Sequence, residues 1–290
     1  MGISAGVAAQ LGWADSGTAD KAFSFISESL RKTGVNIGDD GIRGTRSEAS
    51  ERIRASNFTI AGSISMQPNP AELVDILKWC GLSAAGTTYT LTEAVSSRDV
   101  TVDRVAKVFT YAGVYVNRAT FSSSEGSPLS VTLDLVGKTE TVANAATFPS
   151  LSFSAAAPFM HTDGTFSLVS SSRTPKSSVI TIDNMLIAAF NNSQSAGFIT
   201  TGGRRVSAEF TLPYSSSETD LYAQAVAGSA ATITYAVGGY SLAFALASLQ
   251  CPDNAPVVTN KNGEIVLQVA GIARTVSTTK ELIVTFDSTA

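Results

Sequence analysis

The side chains in this 290-residue sequence that could do chemistry are few and scattered. Its one histidine, His161, stands in a His-Thr-Asp-Gly run with Asp163 two positions on. A nucleophile–base–acid site holds an imidazole between a hydroxyl or thiol and an orienting carboxylate. Two residues apart on a strand share a face, which is proximity rather than such a chain. Two cysteines, Cys80 at the end of a predicted helix and Cys251 in a predicted loop, are too few to build a zinc site with a single histidine. They form no disulfide framework either. Gly202-Gly203 would suit a phosphate, but a phosphate cradle opens a helix, and the alternation that follows predicts a strand. The motifs of serine hydrolases, P-loop enzymes and zinc peptidases are not found. The expectation is a protein without catalysis, metal or cofactor.

The densest polar chemistry is ionic. Residues 34–57 hold Asp39, Asp40, Arg43, Arg46, Glu48, Glu51, Arg52 and Arg54 with few apolar anchors. A long segment of this kind is uncommon inside a compact domain and is usually functional or disordered. A shorter counterpart, NNSQSAGFITTGGRR, ends at Arg204 and Arg205. Two readings compete: a solvated hairpin tip, or an arm that orders against a neighbouring subunit through arginine–carboxylate pairs. The second is expected, because the rest of the chain is poor in charge, and these ten residues are its subunit contacts.

Charged residues make up 15% of the chain and hydrophobic ones 44%, a balance that predicts outer surface hidden against other subunits. No apolar run is long enough to span a bilayer as a helix. The net charge of −4 excludes a protein that grips nucleic acid by its phosphates. The N-terminal stretch lacks a basic residue before Lys21, which argues against a secretory signal and for folding in a cytoplasm.

The elements that must position these residues come in two similar sets. SISMQPNPAELVDILKWCG (63–81) and FTLPYSSSETDLYAQAVAG (210–228) each read as strand, polar turn, short helix and closing glycine. In the first, Asn69 suits an N-cap and Pro70 the first helical position. Leu73, Ile76, Leu77 and Cys80 form one stripe. Ser217 is the cap expected for the second. Upstream, AFSFISESL (22–30) resembles VITIDNMLI (179–187); downstream, PLSVTLDLVGKT (128–139) resembles EIVLQVAGIART (264–275). Order is kept through all three pairs, which predicts a tandem repeat, residues 1–155 and 156–290. Further strands are expected at 104–111, 114–121, 148–154, 165–169, 231–236, 240–248 and 281–287. The fold class is mainly β, near the α+β border, with two sandwich or barrel modules and one short flanking helix in each.

With those segments laid out, the chain resembles the tail tube proteins of long-tailed phages, in the group with a duplicated tube domain. LGWADSGTADKAFSFISESL (11–30) is similar to that group's opening, and ITIDNMLIAAF (180–190) followed by GGRRVSAEFTLPY (202–214) is similar to its central hairpin. The resemblance implies modules whose sheets join neighbours into a closed tubular barrel. Two modules per chain imply three chains per ring, stacking of rings into a tube, and arms such as 34–57 bridging them. It also implies the tape-measure protein, the tail tip and the terminator as partners, DNA passing through without tight binding, and a place in the virion tail after assembly in the host cytoplasm. Glu28, Asp183 and Glu209 are expected to face the lumen. The rival readings are a two-domain β-sandwich adhesin or carbohydrate-binding protein, which needs an aromatic platform that Trp13 and Trp79 do not obviously make, an outer-membrane barrel, or another tail component of the same fold, a terminator or secretion-system tube.

Overall fold

The fold was described from a computed structural model, which covers residues 6–38, 52–144, 148–153, 156–169, 171–214, 228–251 and 264–287. Strands follow one another almost without helix. The first half runs through β1 (Gln10–Ala14), β2 (Lys21–Ala22), β3 (Ser27–Glu28), β4 (Arg31–Ile37) and β5 (Arg54–Met66) to helix α1 (Pro70–Trp79). It continues as β6 (Leu82–Ala85), β7 (Thr88–Leu91), β8 (Arg98–Asp103), β9 (Lys107–Ser124), β10 (Ser130–Gly137) and β11 (Thr139–Asn144). The second half holds β12 (Gly164–Leu168), β13 (Ser171–Arg173), β14 (Ser177–Asp183), β15 (Leu186–Ala189), β16 (Phe198–Thr201) and β17 (Arg205–Pro213). After these come β18 (Ser229–Val237), β19 (Tyr240–Gln250), β20 (Val266–Arg274) and β21 (Leu282–Asp287).

Alternation makes these strands. β10 and β17 bury every second residue without a break, so each has one core face and one open face. α1 forms where the sequence places it. Asn69 accepts from the Glu72 amide at 3.1 Å, and Glu72 accepts from the Asn69 amide at 3.2 Å, a reciprocal capping box. Leu73, Ile76 and Leu77 are fully buried, and Gly81 leaves the helix at φ +91. The Trp79 indole donates to the Val114 carbonyl at 3.0 Å and fixes the helix on β9.

β9 divides its length between two sheets. Up to Val114 it lies between β8 and β11; from Tyr115 it pairs with β10 and, over Arg118–Ser124, with β14. β19 does the same: its first part lies between β18 and β21, and its end pairs with β20. The pairings of the first half, β1·β8·β9·β11 and β9·β10·β5·β4, thus have the same order as β12·β18·β19·β21 and β19·β20·β17·β14. The β9·β14 pairing fuses the second set of each into one continuous sheet, β4·β5·β10·β9·β14·β17·β20·β19. Phe121 and Phe244, ring centroids 5.1 Å apart, pack across the two halves beneath it.

Several expectations are corrected. The strands expected at 104–111 and 114–121 are one, because Gly113, at φ +61, bends the chain without ending its pairing. Residues 22–30, which the sequence likens to 179–187, differ from that segment: between β2 and β3 the Phe23 amide still bonds Leu11 of β1 and the Ile26 amide Ser65 of β5, while the Ser24 amide bonds the Glu72 carboxylate at 2.9 Å. The described part of 148–154 carries no strand. The ends of the ionic segment 34–57 are ordered, since β4 reaches Ile37 and β5 begins at Arg54. The helix expected after Ser217 lies outside the described residues, as do Asp39, Asp40, Arg43, Arg46, Glu48 and Glu51.

Candidate assembly surface

The open face of the continuous sheet has a chemistry of its own. Cross-strand partners project to the same side, so the register names its rows. One row reads Ser65, Thr132, Thr120, Thr181, Ser207. The next reads Ser63, Asp134, Arg118, Asp183, Arg205, with charges alternating in sign across four strands. Arg118 donates to Asp183 from Nη2 at 2.9 Å. A third row sets Ser130, Ser122, Val179 and Glu209 side by side. Small hydroxyls and balanced charges cover a face that carries no core, while Ile64, Leu133, Ala119, Ile182 and Val206 fill the other.

The structure therefore brings Asp183 and Glu209 together and separates Glu28 from them. Glu28 lies opposite Ile64, a core position, so it belongs to the other face. There its carboxylate takes the Arg104 guanidinium in a two-point contact of 2.7 and 2.9 Å. The Tyr111 hydroxyl donates to the Leu30 carbonyl at 2.8 Å in the same corner, and burial pushes its pKa up to about 12, against the pull of Arg104.

The edges of the sheet differ. β14 is paired on both sides, by β17 and β9. β4 is paired only by β5 among the described residues, is exposed along its whole length, and shows Val35 and Ile37 at 62% and 58% exposure. An open strand of this kind is a template for another chain. Arg54 begins the ordered β5 beside it, and Arg52 lies just before. Arg204 is held inside the chain: Nε donates to Glu281 at 2.7 Å and Nη1 to the Thr92 carbonyl at 2.6 Å. Arg205 begins β17 on the open face.

His161 sits in a one-turn 3-10 segment, not on a strand, and Asp163 caps that turn by accepting the Met160 amide at 2.7 Å. Its Nε2 faces the Pro175 carbonyl at 2.9 Å; a carbonyl only accepts, so Nε2 carries the proton and Nδ1 accepts from the Ser123 hydroxyl at 2.9 Å. Ser123 also meets Tyr235 at 2.8 Å and Ser178 at 3.0 Å. The sequence reading missed this cluster because its members come from four distant segments. The serine is buried and ringed by protein hydroxyls, and the network joins β9 to β14 and β18. Asn184 makes a second polar joint: buried, it donates to the carbonyls of Val116 at 3.0 Å and Cys80 at 3.3 Å. Trp13 and Trp79 are both buried, so neither offers a platform to a sugar. Burial raises the pKa of both cysteines, that of Cys251 to about 11.

Among the curated proteins no sequence matches. The family model described as "Phage tail tube protein" matches residues 4–273, a span that runs from before β1 into β20 and includes the open sheet face and the bare edge of β4, and the chain belongs to that family.

Proposed function

We propose that this chain is the repeating subunit of the tube, that three copies close into a ring, and that each copy supplies two like modules divided near residues 155 and 156. The observation that carries the reading is the seam inside the chain. β9 covers the outer edge of β14, while β4, at the corresponding place in the first half, has an edge that no described residue covers. Repeating that seam between copies gives a heterologous contact that closes as a ring, and the identical order of strand pairings in the two halves supports equal modules. Stacked rings then form the conduit, with the ionic segment 39–54 reaching neighbouring subunits.

The hydroxyl-rich face is the lumen. Its row of alternating charges offers no excess of cations to hold phosphates by counterion release, so DNA slides past Thr181, Asp183 and Glu209. Glu28, on the opposite face, is left out of that lining. The role is structural rather than catalytic, with the tape-measure protein, tip and terminator as partners and assembly in the host cytoplasm.

Electron microscopy of the purified protein, with its mass in solution, tests the proposal. Hollow rings or tubes built on multiples of three chains are expected. A monomer at all concentrations, with no rings under any seeding by tail tips, would overturn it. Tubes carrying Glu209→Lys should assemble and release DNA more slowly; unchanged release would remove that face from the lumen.

A further inference from the structure

The alternation of charge on the open face breaks at one end. Along the row Asp134, Arg118, Asp183, Arg205 each charge meets its opposite on the next strand. On β20 the pattern fails. The register of Ser207 with Ile272, followed two residues further along each strand, sets Arg274 beside Arg205 on the same side of the sheet. Like charges opposite one another on neighbouring strands repel. Asp183 is taken by Arg118 and Glu281 by Arg204. Among the described residues no carboxylate pairs with Arg205 or Arg274, both of them exposed, and Arg274 reaches the Gln250 side chain only at 3.4 Å.

Both arginines line a groove of about 470 Å³, within the range of about 300–1,000 Å³ common to ligand sites. Met185, Val206 and Ile272 line it too. Arg205 and Ile272 also border a second groove with Val179, Thr181 and Ala270, so the two make one trough along β17 and β20. It ends at Glu209, whose carboxylate takes the Gln268 amide. From Arg205 to Glu209 the trough spans about 13 Å, the length of roughly four extended residues.

The chemistry of the trough selects its ligand. A carboxylate fits the arginine pair, because a guanidinium fork takes both oxygens of one acid group. Apolar side chains fit Val179 and Ile272 beside it, and Glu209 repels a second acid at the far end. A nucleic acid fits less well. One surplus cation is too few to hold phosphates by counterion release, and their backbone offers nothing apolar to Ile272. We propose that this trough binds an extended segment of a partner protein, roughly four residues long, with an acidic residue on Arg205 and Arg274 and apolar residues after it. A single chain carries the whole site, so the inference stands apart from the closure of the ring.

Ligand-observed NMR on the purified chain at low salt tests it, with an end-blocked peptide of one glutamate followed by leucine, alanine and valine as the probe. Binding is expected, about tenfold tighter than for the same peptide with glutamine in place of glutamate. Arg274→Glu restores the alternation, so peptide affinity should fall about tenfold while the urea midpoint rises. Arg205→Gln, which changes a side chain without a partner among the described residues, should lose affinity to the same extent. No binding, equal binding of the glutamine peptide, or unchanged affinity in either variant would overturn the site. A lowered urea midpoint in Arg274→Glu would overturn the unrelieved repulsion on which it stands. A short DNA duplex or inorganic phosphate that displaces the probe as readily as unlabelled peptide does would overturn a protein segment as the occupant.

Discussion

β14 and β4 hold corresponding places in the two halves, yet one is enclosed and the other is bare. β14 buries Ser178, Ile180 and Ile182 beneath a sheet that continues on both sides of it, whereas every residue of β4 is exposed. The difference does not come from the strands' own pattern alone. β14 is covered because β9 is long enough to serve two sheets, and its last seven residues supply the missing neighbour. A strand edge is finished by what lies next to it, so an unfinished edge in a lone chain describes the assembly as much as the subunit.

Three variants would break or sharpen that contrast. The largest effect is expected at the seam. Phe121→Ala empties a fully packed aromatic site under β9 and should cost about 3–5 kcal/mol, read as a shift in the urea midpoint. Two separate transitions, with only one shifted, would mean that the halves fold independently. Asn184→Ala should cost less, about 1–3 kcal/mol in all for the buried carbonyls left without a donor, and hydrogen exchange should rise first at the end of α1 and in β15. A loss confined to β15 would show that the Cys80 contact contributes nothing. The smallest change in stability belongs to the bare edge. Val35→Asp with Ile37→Asp alters two exposed side chains, so stability should stay within about 0.5 kcal/mol, while the ring population by mass photometry should collapse. Rings at wild-type abundance would show that β4 is not a joining edge.

Much of this architecture was legible in the chain. Asn69, Pro70 and the stripe from Leu73 fixed α1 because capping and periodicity are local. The alternation in β17 and β20 likewise marked one core face and one open face before any partner was known. What could not be read is which strand lies beside which. Nothing near Lys107 announces that one strand will run through Gly113 into a second sheet, and a glycine followed by a fresh apolar run looks like a break. The side of the sheet that Glu28 takes could not be read for the same reason, since only its pairing with Ile64 turns it toward Arg104. The likeness of 22–30 to 179–187 does not show that the Glu72 carboxylate captures the Ser24 amide and divides the segment between β2 and β3. The Ser123–His161 contact depends on four segments meeting and has no linear signature.

β7 carries a consequence for how the chain is made. Tyr89 is paired with Ala84 on one side and Val284 on the other, so a strand of the first half finds its second neighbour only after the ribosome has produced β21. Pairings that distant in sequence are slow to form, and the first half leaves synthesis with a flank still open. One edge of β7 thus stays unpaired until a strand almost two hundred residues downstream has been made.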